Sequence, residues 1–470
     1  MADFSIIVQS PEVRSIVQDN YLERQFHDAL FPEQLFREST AKENWPAGGV
    51  VGDMQIFTGT GLIPVDLTPV APRTDPTVAT YQIEQWEATL GQLGKSIDTD
   101  LPTDANAIAS LFMQNAQILG MHAGQTMNRL ARNEAFAIAL SGHTVADGAQ
   151  SGVTTLRVKR LNGFTRARRP DLPAGAKVRF ETVSASNPLK IRIYDTTPAE
   201  VSRTVTGFTP DVAGDEYGPG TLTLAGGAVT VSDRAYVIAE DRTALVRVGG
   251  GNKVDDVGSS DVPTLADVRT MVARFRQSNV RAFADGTYHA HMDPISEAKL
   301  LNDTEFQRMM TSLPDSHYMQ AFALGRMMGT TFIKNTEAPN TETVVGGLTA
   351  TYSQQDPFVG ELYNNGTTTG TPIHRILFSG VGGLIEYSQD VAQYKSPVGM
   401  AGEVVDPRIT ANSIQVNTDR IKMIIRGPQN RNMDQVSTTW RWVGAYAKRT
   451  DATTGSAARY KRIGCIEHGE

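Results

Sequence analysis

The chain has 470 residues, 40% hydrophobic and 20% charged, with 44 Lys and Arg against 51 Asp and Glu for a formal net charge of −7. That is apolar material for about three structural units at roughly 150 residues each, and it excludes wholesale disorder. The mild acidity excludes a surface-wide nucleic-acid binder, and the single cysteine, Cys465, excludes an intrachain disulfide or a multi-cysteine metal site.

No apolar run approaches the ~18 residues of a membrane span. Asp3 stands where a secretory signal would carry Lys or Arg, and no long apolar core follows it. The expectation is a chain that folds in a cytosol-like compartment without a membrane partner.

Residues 1–50 hold two short helical patterns. Val13, Ile16, Val17, Leu22 and Phe26 recur at near-helical spacing behind Ser10 and Pro11, Phe31-Pro32 ends the run, and Leu35-Phe36 adds an apolar patch. No long apolar face follows, so the segment reads as an arm. Residues 51–100 change to extended patterning, from Met54 through Leu67 and again around Tyr81 and Ile83. A Pro-rich tip, Pro69 to Pro76, separates the two runs. Two strands of about ten residues make a hairpin reaching ~30 Å, and a lone ribbon of this kind is stabilised by lying on something else.

Residues 101–144 carry the clearest helix. Thr103 or Asp104 supplies the N-cap, and Ile108, Leu111, Phe112, Ile118, Leu119, Met127 and Leu130 follow at helical intervals without a proline to Leu140. A 35-residue helix spans ~50 Å, the length of a spine. Gly120 and Gly124 within it mark a bend or a close contact. Residues 145–255 are short alternating runs: 156–159, 178–181, 191–193, 222–224, 229–231, 236–238 and 245–248. Gly, Pro, Asn and Asp separate them, the pattern of a small all-β barrel or sandwich inserted between helical regions. Residues 256–430 are mixed. A capping box at Thr264 and Asp267 opens a helix, a strand runs from 287 to 292, and Asp293-Pro294 opens another helix. Strands follow at 331–334, 374–378, 414–416 and 421–425, with helical candidates at 305–310 and 318–326 and a polar loop over 353–371. Residues 431–470 read as two final strands, 438–447 and 460–466.

Three groups carry candidate chemistry. His289-x-His291-x-Asp293 places alternate side chains on one strand face, as a metal-dependent hydrolase requires; the plain alternative is an ordinary strand, since no second ligand motif occurs. Ser379-Gly-Val-Gly-Gly lacks the Lys-Ser/Thr of a phosphate loop and reads as a turn. Arg157, Lys159, Arg160, Arg166, Arg168 and Arg169 form a basic cluster. With Phe164 its only aromatic a base-stacking platform is not expected, and it reads as a solvated face, a contact for an acidic protein surface or a contact for nucleic-acid phosphate.

With no catalytic constellation left, the order of parts is informative: arm, long hairpin, spine helix, inserted β-block, α+β block, returning strands. This order resembles the major capsid protein of tailed bacteriophages, whose fold is shared with herpesvirus coat proteins. The strand-turn-helix from Tyr288 to Leu301, the run Gly325 to Ile333, Asn335 to Pro339 and the segment Ser437 to Lys448 resemble one branch of that family, with Gly325-x-x-x-Gly329 departing from its usual Gly-x-x-Gly.

The resemblance implies an α+β fold in which 51–100 is the extended loop lying across a neighbouring subunit and 101–144 the spine of the peripheral domain. Residues 256–430 would be the axial domain, with 431–470 returning to the peripheral domain. It implies a non-enzymatic, cofactor-free subunit that assembles as hexamers and pentamers into an icosahedral virion shell around double-stranded DNA. The host cytoplasm would be its location before assembly. Separate scaffolding, portal and decoration proteins would be its partners; a scaffold made separately follows from the absence of a long charged helical prefix. Arg73, Asp75, Trp86, Arg157, Arg160, Arg168 and Arg169 are the candidate intersubunit contacts. A nanocompartment shell protein of the same fold is the alternative within this resemblance. Arms draped over neighbours suit a shell, because many linked modest contacts add up, and an acidic chain would not pin a packaged genome.

Overall fold

The computed structural model describes residues 35–46, 51–60, 83–100, 111–168, 177–195, 200–311, 325–335, 371–389, 413–418, 420–426, 434–450 and 458–469, with 67, 70, 72–76, 78 and 357–358. Of the expected elements, the helical patterns of 1–34, the helix entry at Thr103 and Asp104, the candidate helix 318–326 and most of the loop 353–371 lie outside these residues. The chain divides into two compact units, each assembled from three separate stretches: Met1–Gln55, Glu87–Ala131 and Ile385–Ala447 in the first, Ile56–Trp86, Arg132–Leu384 and Lys448–Glu470 in the second.

In the first unit one face of the long helix Leu111–Ala139 packs on a sheet. Ala116, Leu119, Ala123 and Met127 share that face at helical spacing and bury against Ile421, Met423, Val436, Trp440 and Trp442. The helix runs unbroken through Gly120 and Gly124, both buried. The sheet centres on the strand Gln435–Lys448, which pairs antiparallel with Ile421–Arg426 along one side and with Gly91–Asp100 from Gln435↔Asp100 to Gly444↔Gly91. Residues 91–100 therefore differ from the expected hairpin: they are a strand of this sheet. The short strand Ala41–Asn44 joins it in parallel with Leu384–Ser388, from Ala41↔Ile385 to Asn44↔Ser388.

In the second unit a six-stranded antiparallel sheet runs His143–Val145, Tyr236–Ala239, Leu189–Tyr194, Val201–Pro210, Gly220–Ala225, Thr155–Val158. A bridge between Ala146 and Val158 ties its two edges, and Lys159 N–H donates to the Val145 carbonyl at 3.0 Å, so the sheet curls on itself. Its core (Leu156, Val158, Leu161, Phe164, Ile191, Ile193, Val205, Leu222 and Val237 among others) comes wholly from residues 146–239. A second, mixed sheet orders Leu245–Arg247, Ile463–Gly469, Ile373–Ser379, Tyr288–Met292, Thr330–Lys334 and Arg326–Met327. The helix Leu265–Gln277 buries Val268, Met271, Val272 and Phe275 in the core that covers this sheet. Its start has the expected chemistry, since Asp267 accepts from the Thr264 N–H at 3.0 Å. The final strand thus joins the mixed sheet, whereas Gln435–Lys448 joins the other unit, so the two closing strands do not return to one place.

Candidate assembly surface

The expected hairpin forms as strands Met54–Thr60 and Ile83–Thr89, joined in a three-stranded sheet by Lys177–Val178. Its returning strand alternates, with Glu84, Trp86 and Ala88 buried. Gly59 is required where it lies flat on the Trp86 indole: a Cβ there would sit 2.9 Å from the ring. The Arg449 guanidinium stacks over the same indole at 5.1 Å. Trp86 is thus consumed by packing within its own unit, and at 8% exposure it leaves little surface for a neighbour.

The other strand and the tip behave oppositely. Among the described residues nine large apolar side chains are exposed, and six of them (Val51, Met54, Ile56, Leu67, Val70 and Val78) fall within 28 residues of the ribbon and its tip, Leu67 at 89% and Val78 at 93%. Arg73 and Asp75 share that tip and are exposed, with Arg73 turning the chain at φ 67°. Sequence reading named the charged tip residues and missed these apolar ones. The signal was present in Leu67, Val70 and Val78 set in a Pro- and Thr-rich turn, where a solvated loop has no use for them.

The basic cluster is dispersed. Arg157 is bridged to Asp147 at 2.8 Å and Asp211 at 2.7 Å. Arg166 meets Glu216 at 3.4 Å. Arg160 is 3% exposed; it donates to the Pro357 carbonyl at 3.1 Å and lies 4.7 Å over the Phe358 ring. Its expected role as a surface contact gives way to an internal one. Arg168 is half-buried on a strand paired with Phe180–Thr182, and Arg169 lies outside the described residues.

The His289, His291, Asp293 row does not assemble a metal site. His289 stacks on Phe283 with ring centroids 3.8 Å apart. His291 is buried, and that burial holds its pKa down to about 3. Asp293 caps the helix Pro294–Leu301 and accepts from His374 Nδ1 at 2.6 Å; burial would raise its pKa, but these bonds hold it below the usual carboxylate value. Among the described residues no three His, Cys, Asp or Glu side chains are placed to hold a metal ion. Asp293, Ser296, His374 and His468 do form a contiguous polar cluster, with Ser296 Oγ 2.7 Å from His468 Nε2. All four are at most 2% exposed, so no substrate reaches the hydroxyl.

No protein-family model and no curated protein matches the chain. Solved structures do. A chain of the capsid of Ralstonia phage GP4 is similar at 11% identity and TM-score 0.44, over 92% of this chain and 87% of that one. The cyanophage Pam1 capsid asymmetric unit gives 10% identity and TM-score 0.44 over 89% and 85%. The capsid of cyanophage P-SCSP1u gives 10% and 0.44 over 93% and 88%.

Proposed function

We propose that the chain is a structural subunit that assembles with copies of itself, as hexamers and pentamers, into an icosahedral virion shell around double-stranded DNA. One observation carries the reading: the ribbon from Val51 to Val78 exposes six large apolar side chains in the isolated chain. Each such side chain, once covered, contributes about 1.5–3 kcal/mol. A ribbon left bare is an assembly element awaiting a second copy. On this reading the ribbon and tip lie on a neighbouring subunit, with Arg73 and Asp75 as charged contacts at the rim. The sheet and helix of the first unit form the peripheral part, the mixed sheet the axial part, and residues 145–255 an insertion available to neighbours or a decoration protein. Scaffolding and portal proteins, contact with DNA and assembly from the host cytoplasm belong to the same proposal. No catalytic step is part of it.

The test replaces Met54, Ile56, Leu67, Val70 and Val78 together by Ser. The parent chain is expected to sediment as hexamers, pentamers or closed megadalton shells, alone or with a scaffold. The variant is expected to stay monomeric with an unchanged circular dichroism spectrum. Assembly of the variant equal to that of the parent, or a parent chain that remains a monomer under every condition, overturns the reading.

A further inference from the structure

The second unit holds an open pocket of about 410 Å³ that the shell reading does not use. Its lining is polar and is dominated by three arginines, Arg242, Arg247 and Arg274, with Glu240 the single carboxylate among them. The floor is rigid. Arg247 donates through Nε to Glu467 at 3.0 Å, through Nη1 to the Asn252 carbonyl at 2.7 Å, and through Nη2 to the Tyr236 hydroxyl. Tyr236 in turn donates to His143 Nδ1 at 2.6 Å, and His143 Nε2–H donates to the Thr243 carbonyl at 2.9 Å. Every proton in this chain has one assignment, so the Arg247 guanidinium is fixed in place.

The charge does not balance. Glu467 is shared, because Arg375 Nε also donates to it at 3.0 Å, and one carboxylate cannot neutralise two guanidinium groups. At the pocket rim, Arg242 makes one long bond to the Ala239 carbonyl at 3.4 Å, and Arg274 one to the Leu245 carbonyl at 3.3 Å. Neither has a carboxylate partner among the described residues, and each guanidinium carries five N–H donors. Arginines elsewhere in this unit, such as Arg157, Arg234 and Arg459, are matched to Asp side chains. Unmatched donors gathered in one concavity, above a fixed third, are the arrangement that recognises a multi-oxygen anion.

We infer that this pocket binds a phosphate group through Arg242, Arg247 and Arg274. A phosphate offers two or more free acceptor oxygens and at least one negative charge, which suits the open forks of Arg242 and Arg274 beside the fixed Arg247 charge better than a single carboxylate does. The pocket is larger than one phosphate, and Glu240 on its wall would accept from a hydroxyl of the attached group. The chemistry is common to a free phosphate compound and to a nucleic-acid backbone. The inference is independent of shell formation.

The experiment titrates the full chain with inorganic pyrophosphate and, separately, with a twelve-nucleotide single strand, by calorimetry at low and high salt. Saturable binding of one equivalent is expected for at least one probe: pyrophosphate alone identifies a free ligand, the strand alone a backbone. The double variant Arg242→Gln, Arg274→Gln is expected to weaken it about tenfold or more, the loss of charge-assisted bonds, and Glu240→Gln to tighten pyrophosphate, which brings no attached group for Glu240 to accept from and is repelled by its carboxylate. Both rim arginines lack ion-pair partners, so the double variant is expected to keep the parent melting temperature without ligand. Absence of saturable binding for both probes, or equal affinity in the double variant, overturns the inference.

Discussion

Arg37 and Glu386 stand 349 residues apart in the chain and meet in a forked pair, Nε to Oε2 at 2.8 Å and Nη2 to Oε1 at 2.6 Å, with neither side chain exposed at all. Trp442 Nε1–H and the Tyr446 hydroxyl donate to the same carboxylate. Removing one partner of a fully buried pair strands the other charge, so Glu386→Ala is expected to lose about 3–5 kcal/mol in a urea titration. Arg37→Met with Glu386→Leu, which removes both charges, is expected to lose markedly less. Histidines supply a second prediction at this scale. Burial, aided by Arg247, holds His143 down to about 4, against 6.5 for the free side chain. Between those values the unfolded chain binds a proton that the folded one does not, so stability falls as pH drops from 6.5 towards 4. One such group changes the unfolding free energy by about 1.4 kcal/mol per pH unit. Glu467 acts in the same sense: burial would raise its pKa, but Arg247 and Arg375 bring it below the normal value, and its contribution disappears as pH falls through that lowered pKa. His143→Gln is expected to flatten the profile between pH 6.5 and 4.5 by one proton, and an unchanged slope would show that His143 is not neutral in the fold.

Among the elements, the strand pair Gly91–Asp100 with Gln435–Lys448 shows how closely backbone packing constrains this chain. A Cβ at Gly94 would lie 2.7 Å from the Trp440 carbonyl, and one at Gly444 would lie 2.4 Å from the Tyr387 carbonyl. Backbone atoms cannot rotate away, so Gly444→Ala is expected to cost about 1–3 kcal/mol. A loss-free Gly444→Ala in equilibrium unfolding would mean the three strands have room for a methyl group at this position. The same strands show what sequence could reveal. The capping box at Thr264, the cap at Asp293 and the alternating runs around 191–193 and 222–224 depend on neighbours in sequence, and all were legible. Residues 91–100 were not, because GQLGKSIDTD alternates weakly and becomes a strand through pairing with a segment 335 or more positions away. Strand Val201–Pro210 was hidden because its ladder shifts register between Val205 and Gly207, which breaks the period of two. In the candidate surface, the charged tip was legible. The basic cluster misled, because its neutralising carboxylates at Asp211 and Glu216 arrive from some 50 residues further along.

The whole molecule is defined by long-range closure. Neither unit is a continuous stretch of chain. The strand Ile463–Gly469 lies between Leu245–Arg247 and Ile373–Ser379, with Cys465 opposite both Leu245 and Leu377, and it brings Glu467 to Arg247 and Arg375. Truncating the chain after Arg462 therefore splits the mixed sheet and leaves two buried guanidinium groups without their carboxylate. Such a chain is expected to accumulate as insoluble protein, although it loses only eight residues. The full chain carries its own reporter of this closure. Cys465 has no exposed surface, and burial pushes its thiol well above the ordinary value, so it is expected to be inert to a thiol reagent in the native state. Its labelling rate should follow opening of the mixed sheet, with the same denaturant dependence as amide hydrogen exchange in the neighbouring strand Ile373–Ser379, because the strand that holds it cannot leave without opening the sheet on both sides. Labelling that precedes exchange in Ile373–Ser379 would show that the last strand detaches by itself. Sheet closure across more than 200 residues is slow to form. A folding chain therefore exposes its apolar ribbon and an open sheet edge together before the last strand docks, and rapid dilution from denaturant at high protein concentration is expected to give aggregates in place of soluble folded protein.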